Sequence, residues 1–175
     1  MPAPYPELAT AVRVLIALVF FTAAAAKMRH WSIFEGVIGN YRLLPQFLVR
    51  PFAWLLPPAE LVVALAVLLN LPHAALAAAS LLVVFALAMA ANILRGRSHI
   101  DCGCFNSALK QPLRWSLVVR NGVLTALLLL GAGSAPSVPG TALVLGALMG
   151  ISLYVIVQCV NALLAIPALA SRHAH

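Results

Sequence analysis

The stretch PHAALAAASLLVVFALAMAANIL, residues 72–94, decides the fold class, because it contains no Asp, Glu, Lys or Arg. A helix needs about 20 mostly apolar residues to cross the hydrocarbon core of a bilayer. Four other runs have a similar length and character, and they cover residues 8–28, 51–69, 112–131 and 140–169. Pro57 and Pro58 fall inside one of these runs, where they should kink a helix or mark its true start. The sequence therefore predicts an all-α integral membrane protein with five transmembrane helices in a single membrane domain, residues 1–175.

The composition agrees with a membrane protein. Of the 175 residues, 63% are hydrophobic and 9% are charged, whereas soluble domains have about 25% charged residues. The net charge is +7, but Lys and Arg lie mostly between the apolar runs, a pattern typical of contact with lipid headgroups rather than with nucleic acid. The first ten residues contain no Lys or Arg, so we expect the first run to be retained as a helix and not to act as a signal peptide.

The connection at residues 29–50 contains aromatic and leucine side chains among Arg and Glu. This pattern predicts an amphipathic segment that lies along the membrane interface. Because successive membrane helices alternate in direction, this segment and the loop at 95–111 should lie on the same side of the membrane. The Arg and Lys residues on that side would make it cytoplasmic by the positive-inside rule.

The loop before the fourth run carries the motif DCGCF, residues 101–105, in which one glycine separates Cys102 from Cys104. Nearby basic residues favour the reactive thiolate, and Gly103 lets the backbone bring the two sulfurs together. A disulfide across one residue closes a small, strained ring that is readily reduced. We therefore favour reversible redox exchange. The alternatives are a Cu(I) site with His99 as a third ligand, a structural disulfide that would stabilise little, and inert thiols.

Ionisable side chains also occur inside the apolar runs, where they are costly and typical of functional sites. Lys27, Glu60 and Arg120 all fall in the membrane half nearest the cysteine loop, and Asn121 follows Arg120. We expect Glu60 to pair with Arg120 or Lys27. The alternative is that the basic residues extend to the headgroups, which we favour for Lys27, whereas we favour a buried role for Arg120 with Asn121. The opposite membrane half holds few polar groups, and Cys159 should pack as a small buried apolar residue.

Several short motifs together resemble the MauE family, within the wider DoxX-like and MauE-like membrane proteins. They span about residues 10–131 and consist of Lys27 at the end of the first run, YRLLP at 41–45, PPAE at 57–60, DCGCF at 101–105, and Arg120-Asn121. The cysteine motif is the most specific of them. The family usually has a glycine after the phenylalanine of this motif, where this chain has Asn106.

The resemblance implies a four-helix core similar to that of vitamin K epoxide reductase, and a role in maturing methylamine dehydrogenase, whose small subunit is rich in disulfides. Cys102 and Cys104 would be the catalytic pair of a thiol–disulfide oxidoreductase. The supporting residues would be Arg120, Asn121, Glu60 and Lys27. A thioredoxin-like periplasmic protein is the implied partner, and a disulfide-containing exported protein is the implied client. Quinone is an electron acceptor that the resemblance allows, with no metal and no required cofactor.

These implications place the chain in the bacterial inner membrane with the cysteine loop in the periplasm, in opposition to the charge count. Two other functions remain open. A transporter of a soft metal or small molecule could use the same cysteines, but it would need polar groups through both membrane halves. A non-catalytic anchor for a thioredoxin-like protein would tolerate loss of the cysteines.

Overall fold

The computed structural model describes residues 6–98, 100, 112–131 and 140–170, with the side chains of 164–170 left aside. Within these ranges the chain forms six helices, and short turns join α1 to α2, α2 to α3 and α3 to α4. They are α1 (Pro6–Arg29), α2 (Trp31–Tyr41), α3 (Gln46–Leu68), α4 (Ala74–Leu94), α5 (Trp115–Gly131) and α6 (Gly140–Ala170). Each apolar run of the sequence corresponds to one helix, and the amphipathic connection supplies α2.

Four of these helices are long and apolar enough to cross a membrane, and they cover Pro6–Arg29, Gln46–Leu68, Ala74–Leu94 and Gly140–Leu163. The described part of the chain is thus that of a multi-pass helical membrane protein. Helix α5 is also apolar, but it has 17 residues because it begins at Trp115 rather than at Pro112.

Helix α3 differs from the sequence prediction. It begins at Gln46, upstream of the predicted run, and remains helical through Pro51, Pro57 and Pro58. The sequence left open that the two adjacent prolines mark the start of this helix, and the structure shows that they do not. Pro45 immediately precedes the first helical residue and has an extended backbone (ψ 147°). The helix therefore begins after Pro45 and not at Pro57 or Pro58.

Helix α1 lies at the centre of the bundle and packs against α3, α5 and α6, while α4 packs mainly against α5. The central core joins Ile16 and Phe20 of α1 to Ala78 and Leu82 of α4 and Leu124 of α5. Helix α2 packs on α3, where the Trp31 and Trp54 rings lie with their centroids 4.3 Å apart.

The directions of the helices define two ends of the bundle. Gly131, the last residue of α5, lies beside Ala9 near the start of α1, so α5 is antiparallel to α1. Helix α6 runs parallel to α1, since Gly146 lies beside Thr10 and the Tyr154 hydroxyl lies 3.2 Å from Thr22 Oγ1. We call the end with α2 and the start of α5 the cysteine end, and the end with the α3–α4 turn the opposite end.

Glycines allow α6 to approach α1 closely. A Cβ atom added at Gly146 would lie 2.6 Å from the Glu7 carbonyl oxygen, and one added at Gly150 would lie 2.6 Å from that of Ala11. Small residues at four-residue spacing are a common means of bringing membrane helices together. The sequence interpretation did not identify this glycine pair.

Candidate functional site

The most deeply buried charges form an ion pair between α1 and α3. Lys27 Nζ donates a hydrogen bond to Glu60 Oε1. The side chain of Lys27 is 7% exposed and that of Glu60 is 0% exposed. The sequence predicted either Lys27 or Arg120 as the partner of Glu60, and in the structure Glu60 pairs with Lys27. The expectation that Lys27 extends to the headgroups is wrong, because its ammonium group turns inward to the carboxylate.

Two aromatic rings complete the surroundings of Lys27. Its Nζ atom lies 5.3 Å from the centroid of Phe34 on α2 and 5.1 Å from that of Phe85 on α4. A cation near an aromatic ring is attracted to the electron-rich face, most strongly where water is excluded. Lys27 therefore links α1 to α2, α3 and α4 through one ammonium group.

Among the described residues, Glu60 finds a partner for one of its two carboxylate oxygens. Its Oε2 atom is buried and has no hydrogen-bond partner among the residues that the structure describes. A buried oxygen of this kind is costly, because it has lost water without gaining a replacement. The site therefore has an unused acceptor on Glu60 next to a donor, Lys27, that carries further protons.

A cavity of about 320 Å³ opens beside the ion pair, within the size range of pockets that hold small molecules. Its walls come from α2, α3, α4 and the turn at 42–45, and α1 contributes Lys27. Most of the lining is aliphatic, and the larger or polar groups are Lys27, Phe34, Tyr41, Phe52, Phe85 and Met89. As far as the described residues show, the cavity is thus an apolar space with one cation, Lys27, at its edge.

The motif at 101–105, with Cys102 and Cys104, lies outside the described residues, but both ends of its loop are described. The Leu113 amide donates a hydrogen bond to the Ile100 carbonyl oxygen at 3.1 Å. Both side chains are buried and cluster with Met89 and Leu117, against which Tyr41 and Phe85 pack. Met89, Tyr41 and Phe85 also line the cavity. The base of the cysteine loop and the wall of the cavity therefore share side chains.

Helix α5 brings two polar residues to the cysteine end. Arg120 is half-buried, and its Nη2 atom lies 3.5 Å from Oδ1 of Asn121, which is 3% exposed. The buried position of Asn121 agrees with the sequence expectation, but Glu60 pairs with Lys27 and not with Arg120. On α4, Asn92 is fully buried and donates to the Ala88 carbonyl oxygen of its own helix.

Cys159 contradicts the sequence prediction. It is a free cysteine on the exposed surface of α6, and the prediction of a buried apolar residue is wrong, because α6 contacts the bundle mainly along the α1 side. Within the described ranges, no group of three or more His, Cys, Asp and Glu residues could hold a metal ion.

Sequence reasoning also missed the cavity, because Phe34, Phe85 and Met89 look like ordinary apolar residues in the sequence. Arg13 was missed as well. It lies on α1 towards the opposite end, which we expected to hold few polar groups.

Comparisons with known proteins agree with the motif-based resemblance. The family described as methylamine utilisation protein MauE matches residues 6–134. A methylamine utilization protein MauE from Paracoccus denitrificans is 48% identical over 145 residues, which cover 81% of this chain and 77% of that protein. The one from Paracoccus versutus is 44% identical over 168 residues, covering 93% of this chain and 90% of that protein. No solved structure matches this chain.

Proposed function

Because the chain belongs to the MauE family of methylamine utilisation proteins, we propose that it is a membrane thiol–disulfide redox protein. Cys102 and Cys104 would form the redox pair and support disulfide formation in an exported protein. The client would be the small subunit of methylamine dehydrogenase, reached through a thioredoxin-like periplasmic partner. The observation that carries the proposal is the packing of the cysteine-loop base on the wall of a cavity with a buried cation.

The chemistry needs an electron acceptor, and the cavity suits a quinone. When bound, a quinone would take up the two electrons and two protons that are released when two thiols become a disulfide. Phe34, Phe85 and the aliphatic walls fit a flat apolar ring, and Lys27 is placed to donate a hydrogen bond to a ring carbonyl oxygen. Glu60 Oε2, which has no partner in the described part of the chain, is a nearby acceptor for a proton.

Four polar residues would support the cysteine pair. Lys27 and Glu60 would hold the wall of the cavity in place, since their ion pair joins α1 to α3 below the cysteine end. Arg120 and Asn121 lie in the second turn of α5, in the chain segment that follows the cysteine loop. A positive group there would favour the thiolate form of a neighbouring cysteine.

We also propose that α5 is a fifth membrane crossing, in a bundle similar to that of vitamin K epoxide reductase. Its 17 residues extend about 25 Å at 1.5 Å per residue, slightly less than the hydrocarbon core of about 30 Å. It runs beside α1 as far as Ala9. The protein would lie in the bacterial inner membrane with the cysteine end facing the periplasm, where the proposed client is assembled.

Thiol counting tests the proposal on purified protein in detergent. A Cys159→Ser background leaves only the two cysteines of the motif. The protein is reduced, freed of reductant, exposed to decylubiquinone, and treated with a maleimide that adds a resolvable mass to each free thiol. We expect two tags before the quinone and none after it, and full recovery of both with reductant.

The control is the Cys102→Ser variant in the same background, which has one thiol and cannot close the ring. It should keep its single tag after quinone treatment. If both thiols of the parent protein stay free under quinone and under diamide while the protein is folded, the redox proposal is wrong. A variant without Cys102 and Cys104 that still supports maturation in cells would favour the non-catalytic anchor instead.

A further inference from the structure

A second cavity, of about 330 Å³, lies at the opposite end of the bundle, away from the cysteines. Its walls come from the start of α1, the α3–α4 turn, the first turn of α4 and the end of α5. We propose that this cavity binds the phosphate group of an anionic phospholipid headgroup. The proposal does not depend on the redox chemistry at the other end.

Arg13 is the main reason for this assignment. It lines the cavity, and its Nη2 atom is buried without a hydrogen-bond partner among the described residues. Arg13 as a whole is half-buried, but a buried guanidinium nitrogen is costly unless an acceptor satisfies it. No Asp or Glu is among the described residues that line the cavity. Phosphate oxygens match the paired donors of a guanidinium group better than any other common anion except a carboxylate.

The α3–α4 turn adds polar groups to the same space. Asn70 and His73 line the cavity, and both have left-handed backbones, with φ of 53° and 63°. His73 immediately precedes α4, and its side chain does not cap that helix. The start of a helix carries a partial positive charge, so the start of α4 reinforces the attraction that Arg13 exerts on an anion.

The position of the cavity favours a lipid over a free phosphate ion. Arg13 lies about 10 Å along α1 from Pro6, at 1.5 Å per residue, which is close enough to the helix end for the guanidinium to meet the headgroup layer. Leu71 and Leu76 belong to the cavity wall and are 50% and 58% exposed. Apolar groups beside a recessed cation match a molecule that has both an acyl chain and a charged headgroup. Basic recesses between membrane helices commonly bind anionic lipids.

Native mass spectrometry of the full chain in detergent tests the proposal, with phosphatidylglycerol and phosphatidylcholine as probes. We expect phosphatidylglycerol to bind the wild type at least tenfold more tightly than phosphatidylcholine does. Arg13→Gln should reduce phosphatidylglycerol binding at least tenfold, and Arg13→Lys should restore part of it. Arg50→Gln, at an exposed arginine of the cysteine end, is the control and should bind as the wild type does.

A second variant covers the case in which Arg13→Gln does not fold. Ala75 lines the cavity, whereas Ala77 is exposed outside it. Ala75→Phe should therefore abolish phosphatidylglycerol binding, while Ala77→Phe should not. Equal binding by wild type and Arg13→Gln, or equal binding of the two lipids, would overturn the proposal. Complete displacement of phosphatidylglycerol by 20 mM inorganic phosphate would also overturn it, by assigning the site to the free ion.

Discussion

Lys27 of α1 and Glu60 of α3 form a buried ion pair in which the carboxylate uses one oxygen and leaves the other without a partner among the described residues. The pair joins two helices that also pack through apolar side chains. Charges taken out of water repay their cost only when they are well paired. The incomplete pairing of Glu60 suggests that the site serves chemistry or binding in addition to stability.

The ion pair predicts an asymmetric effect of removing its members. Lys27→Met strands the Glu60 carboxylate in an apolar environment, so we expect it to lower the free energy of unfolding by about 3 kcal/mol. Glu60→Gln should cost less, because an amide still accepts a hydrogen bond from Lys27. Thermal and denaturant unfolding in detergent, followed by circular dichroism, would measure both effects.

The matched control for this series is Arg29→Met, since Arg29 ends the same helix but is exposed. It should change stability by less than about 0.5 kcal/mol. The double variant Lys27→Met with Glu60→Leu should be more stable than Lys27→Met alone, because neither charge is then stranded. If the Lys27→Met and Arg29→Met variants have the same free energy of unfolding, the ion pair makes no measurable contribution to stability.

A larger side chain in the cavity beside Lys27 should prevent a quinone from binding there, but it should not prevent small oxidants from reaching the cysteines. Ala88 lines the cavity, while its neighbour Leu87 points away from the bundle and is 64% exposed. We expect Ala88→Phe to slow decylubiquinone-dependent disulfide formation at least tenfold and to leave oxidation by diamide unchanged. Leu87→Phe should leave both rates unchanged. Equal quinone rates in the two variants would mean that quinone does not use this cavity.

The helices could be predicted from the sequence because hydropathy alone separates membrane-spanning runs from their connections. The first helix was expected at 8–28 and is observed at Pro6–Arg29. The start of α3 was missed because residues before Pro51 include Arg50 and appeared polar. Hydropathy does not register that Arg50 occupies the exposed side of a helix that has already begun at Gln46.

The site was only partly predictable. The charge of Glu60 and its depth in the apolar run correctly predicted that it lies at the same level as Lys27. They did not indicate whether Lys27 or Arg120 is the partner of Glu60. That choice depends on which helices pack together: α1 packs directly on α3. The burial of Lys27 also depends on Phe34 and Phe85, which come from two other helices. No local sequence pattern indicates that these rings converge on one ammonium group.

The glycine contact between α1 and α6 predicts a strong effect of a very small change. Gly150→Ala would place a methyl group 2.6 Å from the Ala11 carbonyl oxygen, so the helices must move apart. We expect a loss of about 1–3 kcal/mol in the free energy of unfolding. Gly122→Ala is the matched control, because nothing lies within 4 Å of an added Cβ there. That variant should be neutral or up to about 1 kcal/mol more stable, since alanine favours a helix.

The same unfolding assay in detergent reads both glycine variants. If Gly150→Ala loses no more stability than Gly122→Ala does, the close contact between α1 and α6 is contradicted.

The orientation of the cysteine end can be decided directly, and two arguments oppose each other there. Arg29 ends α1, Arg42 follows α2 and Arg50 lies near the start of α3, all at the cysteine end. By the positive-inside rule, these arginines would place this end in the cytoplasm. The proposed function needs the cysteine pair in the periplasm. We expect the periplasmic placement, because the basic residues could serve to favour thiolates or attract an acidic partner instead.

Labelling of intact spheroplasts with a membrane-impermeant maleimide would test this orientation in the Cys159→Ser background, after reduction of the pair. Periplasmic cysteines should react before lysis, to the same extent as after it. Cysteines that react only after lysis would reverse the assignment. A single cysteine introduced in place of exposed Asn70, with Cys102 and Cys104 replaced by serine, provides the reciprocal control, because Asn70 lies in the α3–α4 turn at the opposite end. That thiol should react only after lysis if the helices cross the membrane as proposed, so the two variants must give opposite labelling patterns.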